Sequence, residues 1–185
     1  MTEKKPSGWL HIRRQLNGWS KPDLIRLVKD LYDASTGNRD FLQARFGARE
    51  DAGAMLEKYR EKVIEQFFPK RGFGKLKLAE ARRAIRDYRK ATADLAGTID
   101  LMLTFVEYGT EFTLEFGGIN EAFYHSLDAV LDEMVKLLRT EGWDLYPRFR
   151  ERILSLRDDA DKIGWGYGDS LREQVDLLEA ELAAD

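Results

Sequence analysis

Lys70, Arg71, Lys75 and Lys77 crowd around Gly72 and Gly74, just ahead of a helical pattern that starts at Leu78. A helix start already carries partial positive charge and free N–H donors, so it ordinarily takes Asp or Glu. Lysines added there ask for an anion, with Glu80 compensating only in part. That anion is a nucleic-acid or nucleotide phosphate, or a carboxylate of the protein itself. Arg82, Arg86 and Arg89 follow at i, i+4, i+7, a basic face suited to following phosphates. The plainer reading of such a run is a solvated helix surface. The stretch is not a P-loop, because Pro69 stands where that motif needs Gly and Leu76 where it needs Ser or Thr.

The acidic counterpart is Glu107, Glu111 and Glu115, a self-repelling stripe at i, i+4, i+8. If 78–90 and 92–108 form an antiparallel hairpin, Lys75 and Lys77 fall near Glu107, and Lys70 and Arg71 near Glu111 and Glu115. Internal neutralisation is then the alternative to an external anion. Residues 78–108 running on as one helix would break that pairing. Phe105, Tyr108, Phe112 and Phe116 make an aromatic stripe among the glutamates, which reads as core packing more than as a base-stacking surface. Glu121 and His125 are four apart, and a carboxylate site from Glu107, Glu111 and Glu121 is conceivable for a hard divalent cation. Asp159, Asp161 and Gly164 fit three positions of a calcium loop, but Ser170 stands where its bidentate Glu belongs. The chain has no cysteine, no G-x-S-x-G elbow and no G-x-G-x-x-G, so thiol chemistry is excluded and no cofactor or metal is assigned.

The elements that must position these groups are helices. Leu and Ala number 41 against 14 for Val plus Ile, a bias toward straight-chain helix formers. Leu24, Leu27, Val28, Leu31 and Tyr32 recur at helical spacing behind Ser20 as N-cap and Pro22 in the first turn. A short helix is predicted around 40–46, bounded by Gly37 and Gly47. A long one carries Leu56, Tyr59, Val63 and Phe67 up to Pro69, and the basic helix spans 78–90. Thr92 reads as the cap of a helix whose centre, 101–106, is apolar on all sides and therefore buried. Asn120 caps the next, another lies near 145–156, and Ser170 with Glu173 has capping-box spacing for the last. Between these two, 163–168 alternates glycine with large residues, a tight turn with Trp165 as the expected core plug.

The net charge of −3 is a remainder. Residues 70–90 hold nine basic and two acidic side chains, and residues 91–145 hold two basic and 11 acidic. The total thus argues neither for nor against a nucleic-acid partner. The longest uncharged run, 6–12, is far short of the ~20 apolar residues of a membrane span. The first seven residues lack the apolar stretch of an export signal. No membrane association and a cytoplasmic location are expected.

Phe67-Phe68-Pro69-Lys70-Arg71-Gly72, Asp100-Leu101-Met102-Leu103-Thr104-Phe105-Val106-Glu107, Gly118-Ile119-Asn120-Glu121-Ala122-Phe123-Tyr124 and Ile163-Gly164-Trp165-Gly166 carry a resemblance. Together the segments resemble a bacterial family of helical proteins catalogued as a domain of unknown function, over roughly 20–168. Its F-P-x-R-G and I-G-W-G elements are the specific ones. The resemblance implies a helical fold and brings no chemistry.

The sequence therefore predicts an all-α array of about eight helices in antiparallel pairs. One domain is expected over 1–185, with a flexible tail over about 1–8 and any lobe boundary at 68–77. The expected role is a non-enzymatic binding or scaffold module, its anion-binding surface formed by Lys70, Arg71, Lys75, Lys77, Arg82 and Arg86. Its partner would be nucleic acid or an acidic protein. The rival is a metal-dependent, hydrolase-type enzyme using Glu107, Glu111, Lys70 and Arg71.

Overall fold

The structure, a computed structural model, describes residues 8–47, 52–164 and 166–184. Most of the expected tail and the Trp165 plug lie outside the described residues. The chain divides into two compact units, Met1–Gly47 and Ala48–Asp185, so the loop 68–77 lies inside the second. Among the described residues the fold is all-α, with nine α-helices.

The first unit holds α1 (Trp9–Leu16), α2 (Lys21–Ala34) and α3 (Thr36–Phe46). Ser20 caps α2 by accepting the Asp23 N–H, as its place before Pro22 predicts. Ser35 caps α3, which therefore starts ahead of Gly37 and encloses it. Asn38 ties the two helices by donating to the Leu31 carbonyl at 2.8 Å. Neither α1 nor α2 has a buried residue, and Asp40 is the one buried residue of α3.

The second unit is built on α6 (Leu95–Phe116), whose turn at Leu101, Leu103, Phe105 and Val106 is fully enclosed, as its all-round apolar pattern predicts. Around it pack α4 (Ala52–Ile64), α5 (Leu78–Thr92), α7 (Glu121–Glu141) and α8 (Tyr146–Ala160). The last helix, α9 (Tyr167–Ala184), lies against α7 and α8. Four threonines of α6, Thr98, Thr104, Thr110 and Thr113, return their hydroxyls to the carbonyl one turn back and so enter the core without an orphaned polar group.

Residues 78–108 are not one helix. Ala93 takes the left-handed conformation (φ 53°) and ends α5 without glycine or proline. The cap of α6 is Asp94, two residues beyond the expected Thr92. It accepts the Gly97 N–H at 3.0 Å and the Tyr88 hydroxyl at 2.6 Å, while the Thr92 hydroxyl donates to the Tyr88 carbonyl and accepts the Asp94 N–H. Asn120 caps α7 as predicted. Ser170 caps nothing, because α9 starts three residues earlier; it lies instead near Asp128, across the α7–α9 contact.

Candidate functional site

The basic loop is fixed at its root by two adjacent aromatics. Phe67 is buried, edge-on to Phe105 at 5.4 Å and Phe123 at 6.4 Å. Phe68 points along the other side of α6, against Tyr108, Phe112 and Phe116. The aromatic stripe of α6 is thus mainly a seat for this loop. The chain then doubles back. Gly72 sits at positive φ (78°), and the Leu76 N–H donates to the Gln66 carbonyl at 2.9 Å. At Gly74 a Cβ would collide with the Phe67 carbonyl oxygen, so only glycine closes the loop there.

The loop projects Phe73 at its tip, 83% exposed, between Arg71 and Lys75. Among the described residues the one ring contact of Phe73 is the edge of Phe116, at 6.3 Å between ring centres. Phe73 between the cations of Arg71-Gly72-Phe73-Gly74-Lys75 is the signal in the sequence that the charges and glycines alone do not carry.

The six predicted cations separate into two groups. Lys70 reaches back to Glu61 of α4 at 3.4 Å, and Lys77 pairs with Glu80 at 2.9 Å. Arg71, Lys75, Arg82 and Arg86 make no ion pair among the described residues. Arg89, the third member of the basic face, is engaged by Glu133 and Glu141 of α7 at 3.6 and 3.7 Å. Beside the start of α5 lies an open groove of about 660 Å³, lined by Lys77, Leu78, Arg82, Asn120, Phe123 and Ser126 among others. Two helix starts, those of α5 and α7, border it.

The acidic stripe does not meet the loop. Glu107 is clamped by Arg152 of α8, which donates Nε to Oε1 at 2.9 Å and Nη2 to Oε2 at 2.6 Å. The same guanidinium donates Nη1 to Asp100 Oδ1 at 2.6 Å, and Arg60 of α4 takes Asp100 Oδ2. A chain of alternating charge, Glu57–Arg60–Asp100–Arg152–Glu107, therefore joins α4, α6 and α8. This corrects the expected pairing of Glu107 with Lys75 and Lys77. The face of α6 that carries Asp100, Thr104 and Glu107 turns toward α8, while the basic loop covers the aromatic face.

The grouping of Glu107 and Glu111 with Lys70 and Arg71 is likewise not assembled. Glu107 and Glu111 line a cleft of about 260 Å³ with Thr110, Arg152, Ser155 and Asp159. Lys70 turns instead to α4. Glu121 and His125 approach to 3.7 Å, but both are largely exposed. Among the described residues no group of three or more potential ligands gathers to hold a metal ion. Asp159 and Asp161 pair with Lys162 and Arg172, which occupies the carboxylates of the broken calcium motif.

No described helix is long and apolar enough to cross a membrane. Comparison with family models, with curated proteins and with solved structures gave no match.

Proposed function

We propose that this protein is a non-enzymatic binding module that holds nucleic-acid phosphates on the loop 70–77 and the first turns of α5. One observation carries the reading: Arg71, Lys75, Arg82 and Arg86 stand without carboxylate partners among the described residues, in a chain with more acidic than basic side chains. The cost of keeping four unneutralised cations near a helix start is met when an anion binds there. Phe73 favours nucleic acid over an acidic protein partner. An exposed ring among cations can stack on a base, and every base has a face to offer. The Arg152 guanidinium, which bridges Glu107 and Asp100, leaves the Glu107 carboxylate neutralised, which weighs against the hydrolytic alternative.

The test is anisotropy with a fluorescent single-stranded oligonucleotide at several salt concentrations. If the four free cations contact phosphates, log K falls against log salt with a slope near −3, about −0.7 per contact on a single strand. Arg71→Ala and Lys75→Ala each flatten the slope by about 0.7. Phe73→Ala weakens binding by roughly 1–3 kcal/mol while leaving the slope alone. Equal binding of polyglutamate would make the partner an acidic protein, and no binding at low salt would end the proposal.

A further inference from the structure

Of the thirteen large apolar side chains that the described residues expose, nine lie in the first unit, Trp9, Ile12, Trp19, Ile25, Val28 and Leu31 among them. The helices that carry them bury nothing apolar of their own. A unit of this size without cysteine cannot close a core alone, and such pieces ordinarily complete it by oligomerising. We infer that the exposed apolar stripe of α2, Leu24, Ile25, Val28 and Leu31, is the interface of a two-fold homodimer, in which α2 packs antiparallel against α2 of a second copy.

Three observations choose that occupant. The second unit has a finished core and exposes only four large apolar side chains, Phe73, Leu114, Phe116 and Leu177. The surface of matching apolar extent is thus the first unit of another copy, and a two-fold axis sets the same patch on both sides. Next, α2 has three basic residues (Lys21, Arg26, Lys29) and three acidic ones (Asp23, Asp30, Asp33), with Arg26–Asp23 and Lys29–Asp33 already paired. It has no single-sign field to select an anionic lipid surface or an acidic partner, and two copies meet without repulsion. Last, the stripe is centred on its helix. At 100° per residue, Leu24, Ile25 and Leu31 all lie within about 60° of Val28, near the midpoint of Lys21–Ala34. An antiparallel copy therefore covers the stripe from end to end. Each copy brings to the contact the four side chains of that stripe, between 36% and 60% exposed.

The experiment is sedimentation velocity on the full chain from 1 to 100 µM (about the range such an interface calls for), with Val28→Glu and Ile25→Glu beside it. The wild-type protein is expected to sediment at twice its 21.4 kDa monomer mass. Each variant should weaken the dimer at least about a hundredfold, two decades or ~2.7 kcal/mol, with an unchanged helical circular dichroism spectrum, since both positions are exposed in the monomer. The absence of native cysteine permits a second readout: Val28→Cys should oxidise to a covalent dimer, and Arg83→Cys, on exposed α5, should not. A monomer at every concentration overturns the inference. So does a dimer that survives both glutamates, or a solution monomer that binds anionic vesicles through these helices.

Discussion

Arg152→Met should be the most damaging surface-to-core change in the second unit. The Arg152 guanidinium makes two carboxylate pairs, to Asp100 and Glu107, with N–O distances of 2.6 Å in each. At charge-centre separations near 4 Å and an effective dielectric near 20, each pair is worth about 4 kcal/mol, or ~8 kcal/mol gross. Desolvation of the guanidinium takes back roughly half. Its side chain is 37% exposed, which trims the remainder to about 3 kcal/mol. Methionine keeps the aliphatic stem but leaves Glu107 unpaired and Asp100, 6% exposed, with Arg60 alone. By the same reasoning Asp100→Asn costs less, about 1–2 kcal/mol, because Arg60 keeps Glu57 and Arg152 keeps Glu107. Urea unfolding followed at 222 nm measures both, and half a molar salt should shrink neither by more than about a third, since partly buried pairs are weakly screened. A cost below about 1 kcal/mol for Arg152→Met, or a larger cost for Asp100→Asn, would refute the alternating-charge account.

Three further outcomes follow from the geometry. A Cβ at Gly109 would strike Leu127 Cδ2, with Cδ1 at 2.9 Å, so Gly109→Ala should destabilise by about 1–2 kcal/mol despite alanine's better helix propensity; a raised urea midpoint would contradict the tight α6–α7 approach. Hydrogen bonds from Arg150 and then Tyr146 hold the Glu179 carboxyl below the usual carboxylate range, so its contribution is present above that range and lost as pH falls through it; Glu179→Gln should flatten the acid side of a stability–pH curve. Burial pushes the Asp128 carboxyl up, with the nearby Ser170 hydroxyl opposing the shift, so its contribution is intact below the usual carboxylate range and lost as pH rises through the raised value. Asp128→Asn should accordingly unfold at higher urea than the wild type at pH 7 and match it in acid, and the reverse order would sink the assignment.

What the sequence revealed and what it concealed divide along physical lines. Ser20 before Pro22 and Asn120 before Glu121 marked helix starts because capping is local chemistry, decided within four residues. The apolar turn 101–106 announced a buried helix for the same reason. Ala93 gave no signal, since an αL alanine is tolerated only where its neighbours over-determine the turn, here through Tyr88, Thr92 and Asp94. The helix Trp9–Leu16 was not predicted, because it is short and has no side-chain cap at Gly8 to mark its start. At the site, the basic cluster was legible from composition, but its partners were not. Which face of α6 meets the loop depends on where Phe67 and Phe68 seat, a long-range packing outcome. Asp100 inside an apolar run was the available hint of a buried ion pair, though nothing local pointed to Arg60 or Arg152.

The alternating-charge chain also sets an order on how the protein is made. Asp100 lies 40 residues after Arg60 and 52 before Arg152. At a translation rate of ~5–20 residues per second, Arg152 leaves the ribosome roughly 3–10 s after Asp100. During that interval the nascent α6 can offer Asp100 to Arg60 alone, and Glu107 has no partner at all. The pieces up to α6 can gather, yet the α8-facing side of the central helix stays open until α8 arrives. Completion of this unit is thus tied to α8, and nascent-chain chaperones have several seconds in which to find it unfinished.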